Sequence, residues 1–224
     1  MSILSVAIDG PGGSGKSTVA KRIAQKYGFA YVDTGAIYRT LGLAILRAGQ
    51  SVEQPNAVMS VLNRAEIGLD YDEHGTQRMF LGKEDVSDKI RAPQIAAYAS
   101  AVSAIAEVRA ALLDMQREQA ALRSVVMDGR DIGTVVLPNA GLKLFLTASP
   151  AVRAYRRFLE LQAKGLQITP EQVQEELRER DERDSSRAAA PLRQAEDAIR
   201  IDSSEMDLEQ VIALVSTLVE QRLT

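Results

Sequence analysis

One stretch near the amino terminus combines glycines, a lysine and a serine at a spacing that suits phosphate chemistry. Residues 10–17 read Gly-Pro-Gly-Gly-Ser-Gly-Lys-Ser and fit the pattern Gly-x-x-x-x-Gly-Lys-Ser/Thr without a mismatch. The glycines let successive backbone N–H groups converge on phosphate oxygens, and a helix that starts near the lysine adds its positive dipole end. We expect Lys16 to reach the β- and γ-phosphates and the Ser17 hydroxyl to bind Mg²⁺. The residues predicted to bind the nucleoside triphosphate are Gly10, Pro11, Gly12, Gly13, Ser14, Gly15, Lys16, Ser17 and Thr18.

Arginine carries the second chemical signal. The 27 basic residues divide into 20 Arg and 7 Lys, although the net charge is -3, and nine of the 20 Arg lie between residues 153 and 200. Arginine presents a planar, always charged fork that suits phosphate and carboxylate groups. A kinase for a small phosphorylated acceptor must hold two anionic groups against each other, so it needs cations from several places and an element that excludes water. The arginine distribution fits that requirement.

Composition excludes several other chemistries. The 224 residues are 46% hydrophobic and 25% charged, which is enough for a globular core. The absence of cysteine excludes disulfides, thiolate metal sites and cysteine nucleophiles, and the single histidine, His74, lies in a polar turn. A low aromatic content and a negative net charge argue against binding to nucleic acid or anionic membranes. Without a targeting segment or an apolar stretch of about 18 residues, we expect a cytoplasmic monomer.

Short apolar runs predict the sheet that must position these residues. The first run, over residues 3–8, contains β-branched residues and is bounded by Asp-Gly, and the others cover residues 29–32, 124–127, 142–146 and 198–201. Helical patterns lie between these runs. Strands that alternate with helices imply a mainly parallel sheet, covered on both faces, with five core strands.

Apolar spacing and capping residues predict the helices. Gly28 and Gly49 end the first two, Pro93 suits the first turn of the third, and Asp207 caps the last. The predicted helical ranges are 16–27, 36–48, 96–122 with room for a break, 151–164, 170–184 and 208–219. Alternation over 67–71 and 78–81 predicts a hairpin within an inserted region of roughly residues 63–92.

Four sequence blocks, in order, resemble the bacterial cytidylate kinases. They are Gly-Pro-Gly-Gly-Ser-Gly-Lys-Ser at 10–17, Asp-Thr-Gly-Ala-Ile-Tyr-Arg at 33–39, Asp-Gly-Arg-Asp-Ile-Gly-Thr-Val-Val at 128–136 and Glu-Arg-Asp-Glu-Arg-Asp-Ser-Ser-Arg-Ala-Ala-Ala-Pro-Leu at 179–192. The last three blocks are far more specific to that family than the phosphate loop alone. The chain lacks the Asn-Lys pair of a guanine-reading switch and the Asp-Gly-Phe-Pro-Arg type of block found in adenylate kinases.

The resemblance implies an α/β, three-layer P-loop NTPase fold with a five-stranded parallel sheet. Residues 1–224 would form a single kinase domain, with an inserted monophosphate-binding region over about residues 35–110 that includes the hairpin near 67–81. A short helical lid would cover about residues 153–187. The implied reaction is ATP-dependent phosphorylation of CMP and dCMP to CDP and dCDP with Mg²⁺, in pyrimidine nucleotide metabolism.

The resemblance also implies roles for individual residues. The implied CMP ligands are Ser100, Arg109 and Asp131 for the base, Arg39, Arg130 and Arg187 for the phosphate, and Arg180 and Asp184 for the sugar. Arg153 and Arg157 would be lid arginines that move onto the transferring phosphoryl group and act in catalysis with Lys16. Asp128 would either orient the groups that bind Mg²⁺ or organise the phosphate loop. The alternative without a function is that Asp128 only forms the turn after a strand. Residues 180, 184 and 187 are spaced to share one helix face.

Base chemistry agrees with this assignment. Cytosine offers an N4 amine donor that a carboxylate such as Asp131 can accept, whereas uracil presents O4, an acceptor that the carboxylate would repel. Two alternatives stay open at the level of sequence. One is a nucleotide-dependent switch or regulatory binding protein with the same loop, and the other is a kinase for a different monophosphate, chiefly UMP.

Overall fold

The central sheet consists of five parallel strands, and the computed structural model describes residues 3–223 of the chain. Their bounds, numbered along the chain, are β1 Ser5–Asp9, β2 Ala30–Asp33, β6 Val125–Gly129, β7 Leu142–Thr147 and β8 Ile199–Asp202. The strands follow the spatial order β2-β6-β1-β7-β8. The predicted sheet is therefore confirmed. Because all five strands run the same way, their carboxyl ends meet at one edge, where Asp9 pairs in register with Gly129 and Asp33 with Asp128.

Helices cover both faces of this sheet. Alternate residues of each strand point to opposite faces, so each strand contributes side chains to both layers of the core. Val6 and Ile8 belong to the cluster built with α1 (Lys16–Tyr27) and α8 (Leu208–Leu223), while Ala7 belongs to the cluster on the other face. That second face carries a π-type helical turn over Ile132–Val136 and is contacted by α5 (Ala106–Leu122).

Local signals set the ends of several helices as predicted. The bounds of α1 equal the predicted ones, and Gly28 closes the helix at a left-handed φ of 67°. At the start of α8 the Asp207 side chain accepts from the Gln210 N–H at 2.8 Å, while the Gln210 side chain accepts from the Asp207 N–H at 2.9 Å. This reciprocal capping satisfies N–H groups that a helix leaves free at its start.

The inserted region has a hydrophobic cluster of its own, with buried residues drawn from positions 36–112. It contains α2 (Thr34–Arg47), α3 (Pro55–Leu62), α4 (Pro93–Val102) and the antiparallel strands β3 (Ile67–Tyr71), β4 (Gln77–Leu81) and β5 (Glu84–Asp85). A short 3₁₀ turn over Lys89–Arg91 follows β5. The predicted hairpin is confirmed as β3–β4, whereas α3 and the third strand were not predicted from the sequence.

The long alanine-rich helix predicted over 96–122 is two helices. α4 ends at Val102, α5 begins at Ala106, and their axes are bent by 103°. Within residues 3–223 no single helix has the length and apolar composition of a membrane span, and only this bent pair reaches them together.

Two helices near the carboxyl-terminal third form a hairpin with its own small core. α6 (Pro150–Ala163) and α7 (Pro170–Ser186) pack through Ala154, Leu161, Val173 and Leu177. The Thr169–Gln172 capping box starts α7, and Gly165 allows the turn between the helices at a φ of 76°. The Leu177 side chain lies so close to Gly12 that a Cβ on the glycine would be 2.9 Å from it. This hairpin therefore lies directly against the phosphate loop.

Candidate active site

The glycine-rich segment forms a tight loop between β1 and α1, at the carboxyl edge of the sheet. Gly10 and Gly13 have φ values of 154° and 72°, and a Cβ at these positions would lie 2.0 Å and 2.7 Å from neighbouring carbonyl oxygens. Gly15 precedes α1 at a φ of 87°, and no described side chain caps this helix start. Backbone N–H groups of the first turn are therefore free to bind an anion.

Lys16 reaches back across this loop. Its Nζ donates to the Pro11 carbonyl at 3.0 Å, and the residue is only 7% exposed. Burial, followed by the field of the Arg130 guanidinium, lowers the pKa of Lys16 to about 7. Lys16 therefore lies where an anion bound by the loop would favour its protonated form.

Behind the loop, one carboxylate connects two hydroxyl groups. Asp128, near the end of β6, accepts from the Ser17 Oγ at 2.7 Å through one oxygen and from the Tyr31 hydroxyl at 2.7 Å through the other. Burial raises the pKa of Asp128, and the charge of Asp33 raises it further. Hydroxyl and carboxylate oxygens are the hard ligands that Mg²⁺ prefers.

This donor set suits a magnesium ion that arrives with a nucleotide. Within the described part of the chain no group of three or more His, Cys, Asp or Glu residues could hold a metal ion by itself. Mg²⁺ commonly uses one or two protein oxygens and completes its octahedron with phosphates and water. Ser17 and Asp128 therefore fit that kind of metal rather than a metal held by the protein alone.

Three of the predicted acceptor residues lie together beside the loop. Arg130 Nε donates to Asp184 Oδ2 at 2.7 Å, and Arg180 Nε lies 3.9 Å from the same oxygen. The field of Arg130, together with burial, lowers the pKa of Arg180 to about 10, and Arg39 and Arg157 contribute in the same direction. The cations are therefore crowded beyond what the neighbouring carboxylates neutralise.

Arg39 approaches this cluster from α2. Its Nη2 donates to Asp33 Oδ2 at 2.6 Å, while its buried Nε has no hydrogen-bond partner among residues 3–223. Asp33 also caps α2 by accepting from the Ala36 N–H at 3.0 Å. Although burial opposes it, the Arg39 guanidinium holds the pKa of Asp33 below its ordinary value. Arg39 is therefore fixed at the start of the inserted region.

Two of the residues predicted to read the base, Arg109 and Asp131, form a buried ion pair. Asp131 accepts hydrogen bonds from Arg109 and, at 3.4 Å, from Arg187. The Arg109 guanidinium lies 5.5 Å from the centre of the Tyr38 ring, which it faces. Burial, then the field of Arg109, lowers the pKa of Arg187. The Ser100 hydroxyl is buried and unpartnered within the described chain.

The two predicted lid arginines have different surroundings. Arg153 is buried and donates to the carbonyls of Ala148 at 3.0 Å and Gly12 at 2.9 Å, as well as to Asp181 at 2.5 Å. It therefore ties the phosphate loop to α7. Arg157, one turn further along α6, is partly exposed and pairs with Glu160 at 2.8 Å. Their movement onto a phosphoryl group stays a prediction.

A cleft of about 810 Å³ opens on the outer side of the loop. Loop residues and Thr18 form one end, α6 contributes Tyr155 and Arg157, and the segment between β8 and α8 contributes Met206. Its size is typical of small-molecule sites. The cleft thus meets the phosphate loop at residues 13–15, whereas Arg130 and Arg180 approach the loop at Gly12.

Sequence reasoning missed several residues that position this site. Tyr31 holds Asp128, and Gln77 of β4 binds both the backbone N–H and the carbonyl of Asp33, at 2.7 Å and 3.3 Å. Asp9 accepts from the N–H groups of Ile132 and Gly133, each at 2.7 Å. Only Asp9, as the polar residue that ends an apolar strand next to the glycines, had a sequence signal that could have drawn attention to it.

A phosphate loop at the carboxyl edge of a parallel sheet is common to switches, motors and kinases. Arg130, which follows β6, and Arg180 of α7 lie beside Gly12 of the loop, and the charge of Arg39 from α2 acts on the same cluster. A small-molecule kinase needs such cations to hold two anions together. The molecule is a P-loop kinase. More particularly, the chain belongs to the cytidylate kinase family, whose family model matches residues 6–221.

Individual relatives agree with this assignment. The chain is 48% identical to a cytidylate kinase of Caldicellulosiruptor bescii over 97% of this chain and 96% of the relative. It is 43% identical to a cytidylate kinase of Streptococcus pneumoniae over the full length of both. A solved structure of an uncharacterised protein from Eubacterium ventriosum is similar in fold, with a TM-score of 0.55, 12% identity and coverage of 97% and 98% of the two chains. The predicted family and enzyme class are confirmed.

Proposed function

We propose that this enzyme transfers the γ-phosphoryl group of ATP, bound with Mg²⁺, to CMP or dCMP. Membership of the cytidylate kinase family supports the choice of CMP. The observation that carries the proposal is the crowding of Lys16, Arg130 and Arg180 at the phosphate loop: Arg130 and Arg180 lie beside Gly12, and the charge of Arg130 lowers the pKa values of both Lys16 and Arg180. Cations this close to one another repel unless anions bind between them. The phosphates of two nucleotides bound side by side would supply those anions.

The donor nucleotide would bind on the side of the loop that faces the cleft. The N–H groups of the loop and of the first turn of α1 would bind its phosphates, with Lys16 on the β- and γ-phosphates. The base and ribose would lie in the cleft beside Thr18 and Tyr155, which line it. When bound, Mg²⁺ would neutralise charge on the β- and γ-phosphates, held by Ser17 with Asp128 behind it.

The acceptor would bind between the inserted region and the core sheet. Its phosphate would contact Arg39, Arg130 and Arg187, which come from three elements. Asp184, placed between Arg130 and Arg180, would hold the sugar hydroxyls together with Arg180.

Ser100, Arg109 and Asp131 would read the cytosine ring. Arg109 and Asp131 are hydrogen-bonded, and the buried hydroxyl of Ser100 is available for a ligand. Cytosine offers the N4 donor together with the N3 and O2 acceptors, which a carboxylate, a hydroxyl and a guanidinium can serve.

Transfer would proceed in line. An oxygen of the CMP phosphate attacks the γ-phosphorus, the new O–P bond forms as the bond to the β-phosphate oxygen breaks, and ADP leaves. The acceptor phosphate is already anionic, so no general base is required. Lys16, Arg153 and Arg157 would stabilise the charge on the transferring group. In this proposal, residues of about 35–110 and 153–187 form the monophosphate-binding region and the lid that excludes water.

A coupled assay of ADP release tests the proposal by offering CMP, dCMP, UMP, AMP and dTMP in turn with ATP and Mg²⁺. We expect CMP and dCMP to give turnover far above the other acceptors. Faster turnover of UMP would identify a different monophosphate kinase. Tight ATP binding without any acceptor-dependent turnover would favour a nucleotide-dependent switch.

A further inference from the structure

Tyr31 lies outside every motif that the sequence analysis singled out, yet its hydroxyl is bonded to the centre of the site. The side chain is buried in β2, and its hydroxyl donates to Asp128 Oδ1 at 2.7 Å. The other Asp128 oxygen accepts from Ser17 Oγ at 2.7 Å. We propose that Tyr31 is a positioning residue, which fixes the Asp128 carboxylate and through it the Ser17 hydroxyl for the metal–nucleotide complex. This inference rests on the proposed magnesium site.

The hydrogen-bond directions explain why the tyrosine matters. Ser17 has one hydroxyl proton, and donating it to Asp128 leaves the serine lone pairs free for a cation. That arrangement requires the carboxylate to keep one oxygen turned toward Ser17. Tyr31 binds the other oxygen, and Thr34 Oγ1 binds the Asp128 backbone carbonyl at 2.9 Å. Both ends of the aspartate are thereby held.

The type of donor is as important as its place. A phenol is neutral, so it orients the carboxylate without cancelling its charge, whereas Lys or Arg at this position would compete with a divalent cation. The tyrosine ring is itself held, because it packs in the cluster between α1 and the sheet and the Lys21 ammonium lies 5.5 Å from its centre. The hydroxyl therefore has a fixed position from which to orient Asp128.

Tyr27 provides a matched control for the loss of a tyrosine hydroxyl. It is the last residue of α1, where its hydroxyl donates to the exposed Glu220 at 2.7 Å, with the Ser216 carbonyl 3.2 Å away. Tyr27→Phe and Tyr31→Phe therefore make the same chemical change: each removes one phenol hydroxyl and its hydrogen bond to a carboxylate. Only Tyr31→Phe removes a bond to the carboxylate that holds Ser17.

Calorimetric titration of ADP, with excess Mg²⁺ and separately with excess EDTA, measures the gain in affinity that the metal provides. We expect Tyr31→Phe to reduce this gain about 10-fold, as for the loss of a hydrogen bond to a charged group, and to leave metal-free ADP affinity unchanged. Asp128→Asn should reduce the gain at least as much, and Tyr27→Phe should leave it unchanged. The double variant Tyr31→Phe/Asp128→Asn should lose no more than Asp128→Asn alone.

Each other outcome has a definite meaning. If Asp128→Asn abolishes the gain and Tyr31→Phe retains it, Tyr31 has no positioning role while the proposed metal site stands. If Asp128→Asn also retains the full gain, the proposed metal site is wrong. If Tyr31→Phe loses affinity for ADP equally with and without Mg²⁺, Tyr31 stabilises the phosphate loop in general rather than the metal site, and the inference is overturned. If Tyr31→Phe does not fold, a further loss in the double variant relative to Asp128→Asn would overturn it.

Discussion

Asp131 is the residue that we predict to distinguish cytosine from uracil. Its carboxylate is buried and binds both Arg109 and Arg187, so two cations compensate its charge before any ligand arrives. Removing one partner from a buried charged group is costly, because the remaining charges lose their compensation. The carboxylate can therefore act as a rigid acceptor for a base amine without moving.

We expect Asp131→Asn to lower the ratio of kcat/KM for CMP over UMP by roughly 10- to 100-fold, because an amide can donate to uracil O4 as readily as it accepts from cytosine N4. Steady-state kinetics with both acceptors measure this ratio, which does not depend on the fraction of folded enzyme. The control is Asp85→Asn, whose carboxylate pairs with Arg78 on the exposed hairpin at 2.7 Å. An unchanged ratio in Asp131→Asn would remove this residue from base reading.

Arg157 is a predicted lid arginine, and its guanidinium can change partner because its carboxylate partner Glu160 is a half-exposed residue of the same helix. We expect Arg157→Ala to reduce kcat on the order of 10³-fold, the lower end for an arginine that neutralises a transferring phosphoryl group. Arg178→Ala should leave kcat unchanged, because Arg178 pairs with two exposed glutamates of its own helix, Glu175 and Glu182. Near-normal turnover by folded Arg157→Ala would exclude a catalytic role.

At the scale of elements, Gln77 joins the inserted sheet to the core sheet. Its side chain binds both backbone groups of Asp33, the last residue of the edge strand β2. Asp33 then caps α2 and holds Arg39. One amide in β4 thereby fixes where the predicted phosphate clamp lies relative to the phosphate loop.

We expect Gln77→Leu to lower the free energy of unfolding by about 1–3 kcal/mol, because it leaves Asp33 backbone groups without partners. We also expect KM for CMP to rise while kcat changes less, since a displaced Arg39 weakens ground-state and transition-state binding alike. Chemical denaturation and acceptor kinetics measure the two effects. Gln194→Leu, which loses an amide bond to the Ala198 carbonyl on the surface, is the control. A normal KM in Gln77→Leu would limit its role to stability.

Elements with local signals could be predicted, and elements set by packing could not. The helix α1 was predicted to the residue because apolar spacing and Gly28 both mark it. The eight-residue α3 has no side-chain cap, and β5 has two residues, so neither gives a clear pattern. The break between α4 and α5 contains neither Gly nor Pro; Ile105 packs there against the core of the inserted region, so a tertiary contact sets it.

In the candidate site, too, residues that belong to a local motif could be predicted and residues placed by long-range contacts could not. Motif residues such as Lys16 and Asp128 could be found from sequence because each motif fixes a type and a spacing. Their partners could not, because the bond from Tyr31 to Asp128 joins residues 97 positions apart and belongs to no local pattern. The roles of the individual arginines stay predictions until binding and kinetics test them.

For the whole molecule, charge at the carboxyl edge of the sheet links stability to pH. Asp9 is buried there and accepts two backbone N–H groups, yet burial raises its pKa to about 6 from an ordinary value of 3.8. A carboxyl with a raised pKa in the folded state stabilises the fold at low pH, and this contribution is lost as the pH rises through the folded-state value. This pH dependence of stability is opposite in sign to that of an ion-paired carboxylate, whose contribution is lost as the pH falls.

We therefore expect the free energy of unfolding of the wild type, minus that of Asp9→Asn, to fall as the pH rises from about 4 to about 6. The amide does not titrate, so the difference isolates this group, and two pKa units correspond to about 3 kcal/mol as an upper limit. Denaturant unfolding at several pH values measures it. A difference that stays flat, or rises with pH, would contradict the account.

Above all, we claim that the γ-phosphoryl group of ATP is transferred to the phosphate of CMP rather than to water. Incubation with ATP labelled at the γ-phosphate, with and without CMP, followed by separation of the nucleotides, tests this claim most directly. We predict that the label appears as the β-phosphate of CDP, in equal amount to the ADP formed, and only when CMP is present. Label released as inorganic phosphate, or label retained in ATP when CMP is present, would contradict it.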